Sequence, residues 1–150
     1  MFNMRMDQAE RDGRDAGGRA MTRSERMARV RAQALLVRRL REQLRETTAD
    51  GLHSMRLDGM PRGRGGVARG LDVRMEKREA IERILNRESA LLRRYEAEAR
   101  EEMDGMRPEH YAFCALYFLA GLSLTETAEA IDRSERQCMR YKREIEQGEE

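Results

Sequence analysis

A chain of 150 residues has room for one or two small modules. Charged residues make up 39% of it and hydrophobic ones another 39%, against usual shares of about 25% and 45–50%, which suits long solvated helices and argues against a large core. The net charge of +2 is unevenly spread: residues 1–70 carry +7 and residues 71–150 carry −5, as expected of a chain whose basic region meets an anionic partner.

Residues 1–20 mix Asp, Arg and Gly without a period and read as a disordered tail. Thr22 and Glu25 have capping-box spacing. Met27, Val30, Ala34, Val37, Leu40 and Leu44 then recur at three- and four-residue steps, which predicts a helix over about 22–48. Between Asp50 and Gly70, six glycines and Pro61 among arginines mark a connector. A second helix is expected from about Leu71 to Met103, with Met75, Ile81, Ile84, Leu85, Leu91, Leu92 and Tyr95 as its apolar positions. Neither long helix can bury its stripe alone, so the two should pair with each other or with a second copy in a homodimer. Asp104-Gly105 ends the second helix, and Pro108 suits the first position of the next. The segment 108–147 has the densest apolar content and looks like a compact domain.

Within that segment, Ala128, Asp132 and Cys138 occupy the small, turn and core positions of a helix-turn-helix pattern. The small residue allows two helices to cross closely, and Asp tolerates the left-handed turn conformation, although Gly is more usual there. Leu124, Ile131, Tyr141 and Ile145 add apolar positions at helical spacing, and Ser123 with Glu126 and Ser134 with Gln137 have capping-box spacing. Residues 132–143 hold five basic and two acidic side chains. Arg136, Gln137 and Arg140 are the candidate base readers, because Arg pairs with guanine and Gln with adenine in bidentate fashion. Arg133, Ser134, Lys142 and Arg143 are candidates for phosphates, and Glu135 could accept from cytosine.

The runs 117–131 and 134–142 resemble the promoter-reading region 4 of sigma factors. The longer arrangement, with residues 54–66 as a small-and-glycine segment at its middle, is similar to phage late-gene regulators of the ArpU and RinA type. That resemblance implies an activator that binds promoter DNA and bacterial RNA polymerase. The exposed parts of the 111–122 helix and the basic first helix would then be the polymerase-facing groups.

Other motifs carry less. Gly63, Gly65 and Ala68 fit a dinucleotide-binding fingerprint in spacing only, since no strand precedes them, and no P-loop is present. The Arg/Gly mixture of 62–70 could touch a nucleic-acid backbone or serve as a plain linker. His53 and His110 have no third ligand at metal spacing, and His110 reads as an ordinary helix residue. Cys114 and Cys138 lie in apolar patterns and read as reduced core thiols. The N-terminus has no signal-peptide run, and the apolar stretch Tyr111 to Ala120 is far short of a membrane span, so a cytoplasmic location in a bacterial host and no membrane partner are expected.

The sequence therefore predicts an all-α protein: a tail over 1–20, a helical arm or hairpin over 21–105 with its connector at about 50–70, and a C-terminal helix-turn-helix over 106–150. The expected function is sequence-specific DNA binding in transcription regulation, with no enzymatic activity and no cofactor or metal. Two other readings remain open: a small-terminase-like DNA-packaging protein, and a helical interaction module that binds protein only.

Overall fold

A computed structural model describes residues 18–56 and 66–148, and the side chains of 18–49 and 70–148. Residues 1–17 of the expected tail, the centre of the expected connector and the side chain of His53 lie outside what is described. The protein is all-α, with no β-strand among the described residues. Two long helices, α1 (Arg23–Arg56) and α2 (Gly66–Met103), precede three shorter ones. These are α3 (Pro108–Cys114), which continues as a π-helical turn over Ala115–Leu119, then α4 (Leu124–Ile131) and α5 (Glu135–Glu146).

Both long helices run further into the expected connector than periodicity predicts. No proline lies between Arg23 and Met60, and backbone hydrogen bonding carries a helix through single glycines at a cost of about 1 kcal/mol each. The start of α1 is where the capping box puts it. Thr22 Oγ1 accepts from the Glu25 N–H at 3.2 Å, and Glu25 Oε2 accepts from the Thr22 N–H at 2.7 Å.

The chain forms two units, Leu35–Arg93 and the remainder, so each long helix contributes to both. In the first unit, Val37 and Leu40 are buried, while Ile81, Leu85, Leu91 and Leu92 are half-buried. The second unit holds the main core. Met27, Val30 and Ala34 of α1 are buried, as are Tyr95, Ala99 and Met103 of α2. Arg26 pairs with Glu102, and Arg29 with Glu98 at 2.6 Å. Later residues of α1 meet earlier residues of α2, so the two segments are antiparallel here.

The short helices close around Phe113. Its ring stacks on Tyr117 at 5.1 Å, meets Phe118 edge-on at 6.0 Å and Tyr141 at 6.4 Å. The π-helical turn places Tyr117 and Phe118 beside the same ring, an arrangement a regular 3.6-residue repeat does not signal. Arg31 of α1 ties this turn down. Its Nη1 donates to the carbonyls of Tyr117 and, at 2.8 Å, Leu122, and its guanidinium lies 3.8 Å from the Tyr117 ring centre.

Gly121 then turns the chain into α4 with φ +74°, a left-handed value. A side chain at that φ costs about 1–2 kcal/mol. Gly121→Ala is therefore expected to destabilise the fold by that amount in urea denaturation; a change below a few tenths would show that the backbone relaxes freely there.

Candidate nucleic-acid interface

The C-terminal pair α4 and α5 is built by caps at each start and a defined turn between. Ser123 Oγ accepts from the Glu126 N–H at 3.1 Å, while Glu126 Oε2 accepts from the Ser123 N–H at 2.9 Å, completing a capping box. Thr127, fully buried, donates its hydroxyl to the Ser123 carbonyl at 2.8 Å. Asp132 takes the left-handed conformation (φ 54°, ψ 52°), and the Arg133 N–H reaches back to the Ala128 carbonyl at 3.0 Å, the hydrogen bond that closes a Schellman-type helix end. Ser134 starts α5, its Oγ accepting from the Gln137 N–H at 3.2 Å.

The amphipathicity of α5 sets which side chains face outward. Cys138, Tyr141 and Ile145 are buried. At about 100° per residue, Arg136, Arg140 and Arg143 fall on the opposite pole, and all three are exposed. Arg133, Ser134 and Gln137 are exposed at the N-terminal end of the same helix. Six of the eight residues predicted from sequence thus lie at or beside one surface.

The other two are engaged elsewhere. Lys142 lies on the flank of α5, half-buried, with its Nζ 3.9 Å from Glu146 and 5.7 Å from the Tyr117 ring centre. Glu135 Oε1 accepts from the Thr125 hydroxyl at 2.8 Å, a link between the first turns of α4 and α5. This gives Glu135 a structural role that its position as a first-turn acid did not signal.

His110 is also more than an ordinary helix residue. It is 2% exposed, its ring meets Tyr141 edge-on at 5.4 Å, and its Nε2 lies 2.8 Å from Glu144 Oε2. Arg107 Nη2 approaches both groups, at 2.9 Å from the same Nε2 and 3.3 Å from Glu144 Oε2. Arg only donates, so when Nε2 carries a proton toward Glu144, the Arg107 bond goes to the carboxylate. The other oxygen, Glu144 Oε1, accepts from Arg140 Nε at 2.9 Å. Arg140, and then His110, hold the Glu144 carboxyl below its ordinary range. Sequence reasoning missed this cluster because His110 and Glu144 are 34 residues apart and meet only when α3 packs on α5.

Both cysteines are buried and free. Burial pushes the Cys114 thiol up to about 12, and burial also raises Cys138. The unfolded chain releases such a proton near pH 8.5, whereas the fold retains it, so Cys114 contributes stability below that pH that is lost as pH rises toward 12. Between pH 9 and 11, the stability of wild type should therefore fall more steeply than that of Cys114→Ala, by a slope approaching one proton per molecule. Parallel curves would show that the thiol ionises as readily in the fold as in the unfolded chain.

Among the described residues, no group of three His, Cys, Asp or Glu side chains is arranged to hold a metal ion. A shallow cavity of about 310 Å³ is lined by Pro108, Glu109, Ala112, Ile131 and Arg133. No described helix is long and apolar enough to cross a membrane. Comparison with protein families, curated proteins and solved structures yields no match.

Proposed function

We propose that α4, its turn and α5 form a helix-turn-helix that reads double-stranded DNA, and that the protein is a transcription regulator rather than an enzyme. The observation that carries this reading is the outward pole of α5, where Arg136, Arg140 and Arg143 oppose the buried Cys138, Tyr141 and Ile145. A single solvated helix face with three arginines, starting at a capped N-terminus, suits insertion in a major groove, where Arg pairs with guanine. Gln137, Arg133 and Ser134 stand at the end that would approach base edges and phosphates first.

On the resemblance to phage late-gene regulators, the reading extends to promoter DNA, activation through bacterial RNA polymerase and a location in the bacterial cytoplasm. Tyr111, exposed on α3, and the outward residues of α1 are the candidate polymerase-facing groups. A footprint of the wild-type protein on fragments of the genome that encodes it tests the DNA reading. Protection at discrete sites is expected, and uniform or absent protection would sink the proposal.

One observation favours a second reading, an interaction module. In the unit Leu35–Arg93, the α2 side chains Leu71, Val73, Met75 and Ile84 are exposed although apolar, which suits burial against another helix. A homodimer through this stretch is compatible with DNA binding. Self-association without any DNA preference would support the second reading alone.

A further inference from the structure

Arg140 stands on the outward pole of α5 with 77% of its side chain exposed, yet it is tied to a nearly buried network. One turn on, Glu144 is only 20% exposed, and behind it His110 is 2% exposed. Glu144 divides its oxygens between the two: Oε1 accepts from Arg140 Nε at 2.9 Å, and Oε2 from His110 at 2.8 Å and Arg107 at 3.3 Å. The His110 ring is held in turn against Tyr141, which is itself in the core of the α5 packing.

We propose that Glu144 is a positioning residue that sets the sequence specificity of Arg140, an inference that rests on the DNA-reading proposal. An exposed arginine samples many rotamers and must be ordered when it pairs with a base, at a cost to affinity. An ordinary pair of exposed side chains four apart, such as Arg78 and Glu82, orders neither partner strongly. Glu144 differs because its second oxygen is fastened to a buried ring. The bond it accepts uses the Arg140 Nε, so the two Nη groups remain as a fork, the edge that fits O6 and N7 of guanine.

The same carboxylate repels DNA phosphates. Glu144 therefore lowers affinity for DNA of any sequence while raising the preference for the right one. A residue that served the fold alone would move both affinities in the same direction.

The test measures dissociation constants for the wild-type footprinted fragment and for a random-sequence duplex of equal length. Their ratio is expected to fall about 2- to 10-fold in Glu144→Gln, the ordering share of one long side chain, while binding to the random duplex tightens. In an Arg140→Ala background, Glu144→Gln should leave the ratio unchanged. An independent readout needs no variant: in free wild type, the Arg140 Nε–H resonance should be as rigid as the backbone by heteronuclear relaxation, unlike that of Arg136. An unchanged ratio in folded Glu144→Gln, or an Arg140 Nε–H as mobile as that of Arg136, overturns the positioning role and leaves the DNA reading standing. A wild type with no preference among fragments overturns the DNA reading itself and this inference with it.

Discussion

Replacing Arg136 and Arg140 together by Ala is expected to abolish the discrete footprint while leaving the helix content of the protein intact. Both side chains are exposed, so their loss removes no core contact, and Glu144 keeps its bonds to His110 and Arg107 when Arg140 is truncated. Each bidentate contact to a guanine contributes about 1–3 kcal/mol of discrimination, so losing two reduces the preference for the cognate site by roughly 30-fold or more. The salt dependence separates base reading from phosphate binding. About five phosphate contacts give a log–log slope near −4.5, and each contact removed lowers its magnitude by about 0.9. If Arg136 and Arg140 read bases, the double variant keeps most of that slope and loses the site preference. If both bind phosphate, the slope falls to about −2.7 and all sequences weaken alike. A double variant that footprints like wild type would remove α5 from the interface.

Phe113→Ala is the substitution with the largest expected effect on stability. Phe113 is fully buried and its ring contacts Tyr117, Phe118 and Tyr141, so it joins α3, the π-helical turn and α5. Truncating a buried Phe costs about 3–5 kcal/mol, from lost transfer free energy and the cavity left behind. That is a large part of the roughly 5–15 kcal/mol available to a small protein. Urea denaturation should show the midpoint falling accordingly, with α5 losing the surface on which Tyr141 packs. A loss below about 1 kcal/mol would mean that neighbouring rings refill the space, and that Phe113 does not organise the C-terminal helices.

Much of the architecture was legible because it is written in local chemistry. The apolar period through Met27, Val30, Ala34, Val37 and Leu40 became the buried stripe of α1. The pairs Thr22–Glu25 and Ser123–Glu126 became capping boxes, and Ser134 capped α5. Asp132 adopted the left-handed turn despite having a side chain. Each of these depends on residues within four or five positions of one another. The exposed pole of α5 followed from the same reasoning, since Cys138, Tyr141 and Ile145 could face only inward.

What escaped the sequence lies in contacts between distant segments. Periodicity understated both long helices, because a glycine in a helical pattern weakens it without stopping it. The π-helical turn at Ala115–Leu119 breaks the 3.6-residue period where Tyr117 and Phe118 must both meet Phe113. Arg31 looks like one more solvated arginine until the fold brings it to the carbonyls of Tyr117 and Leu122, 86 and 91 residues away. Lys142 counted as one more basic side chain of α5, yet its place on the flank beside Tyr117 and Glu146 takes it off the outward pole. His110 and Glu144 are unremarkable singly and become a network only when α3 packs on α5. Caps, apolar stripes and the basic face of α5 could be read from the chain, because hydrogen bonding and amphipathicity act over one or two turns. The anchoring of Glu144 by His110 arises only when α3 packs on α5, because the two residues that meet there are 34 positions apart in the chain.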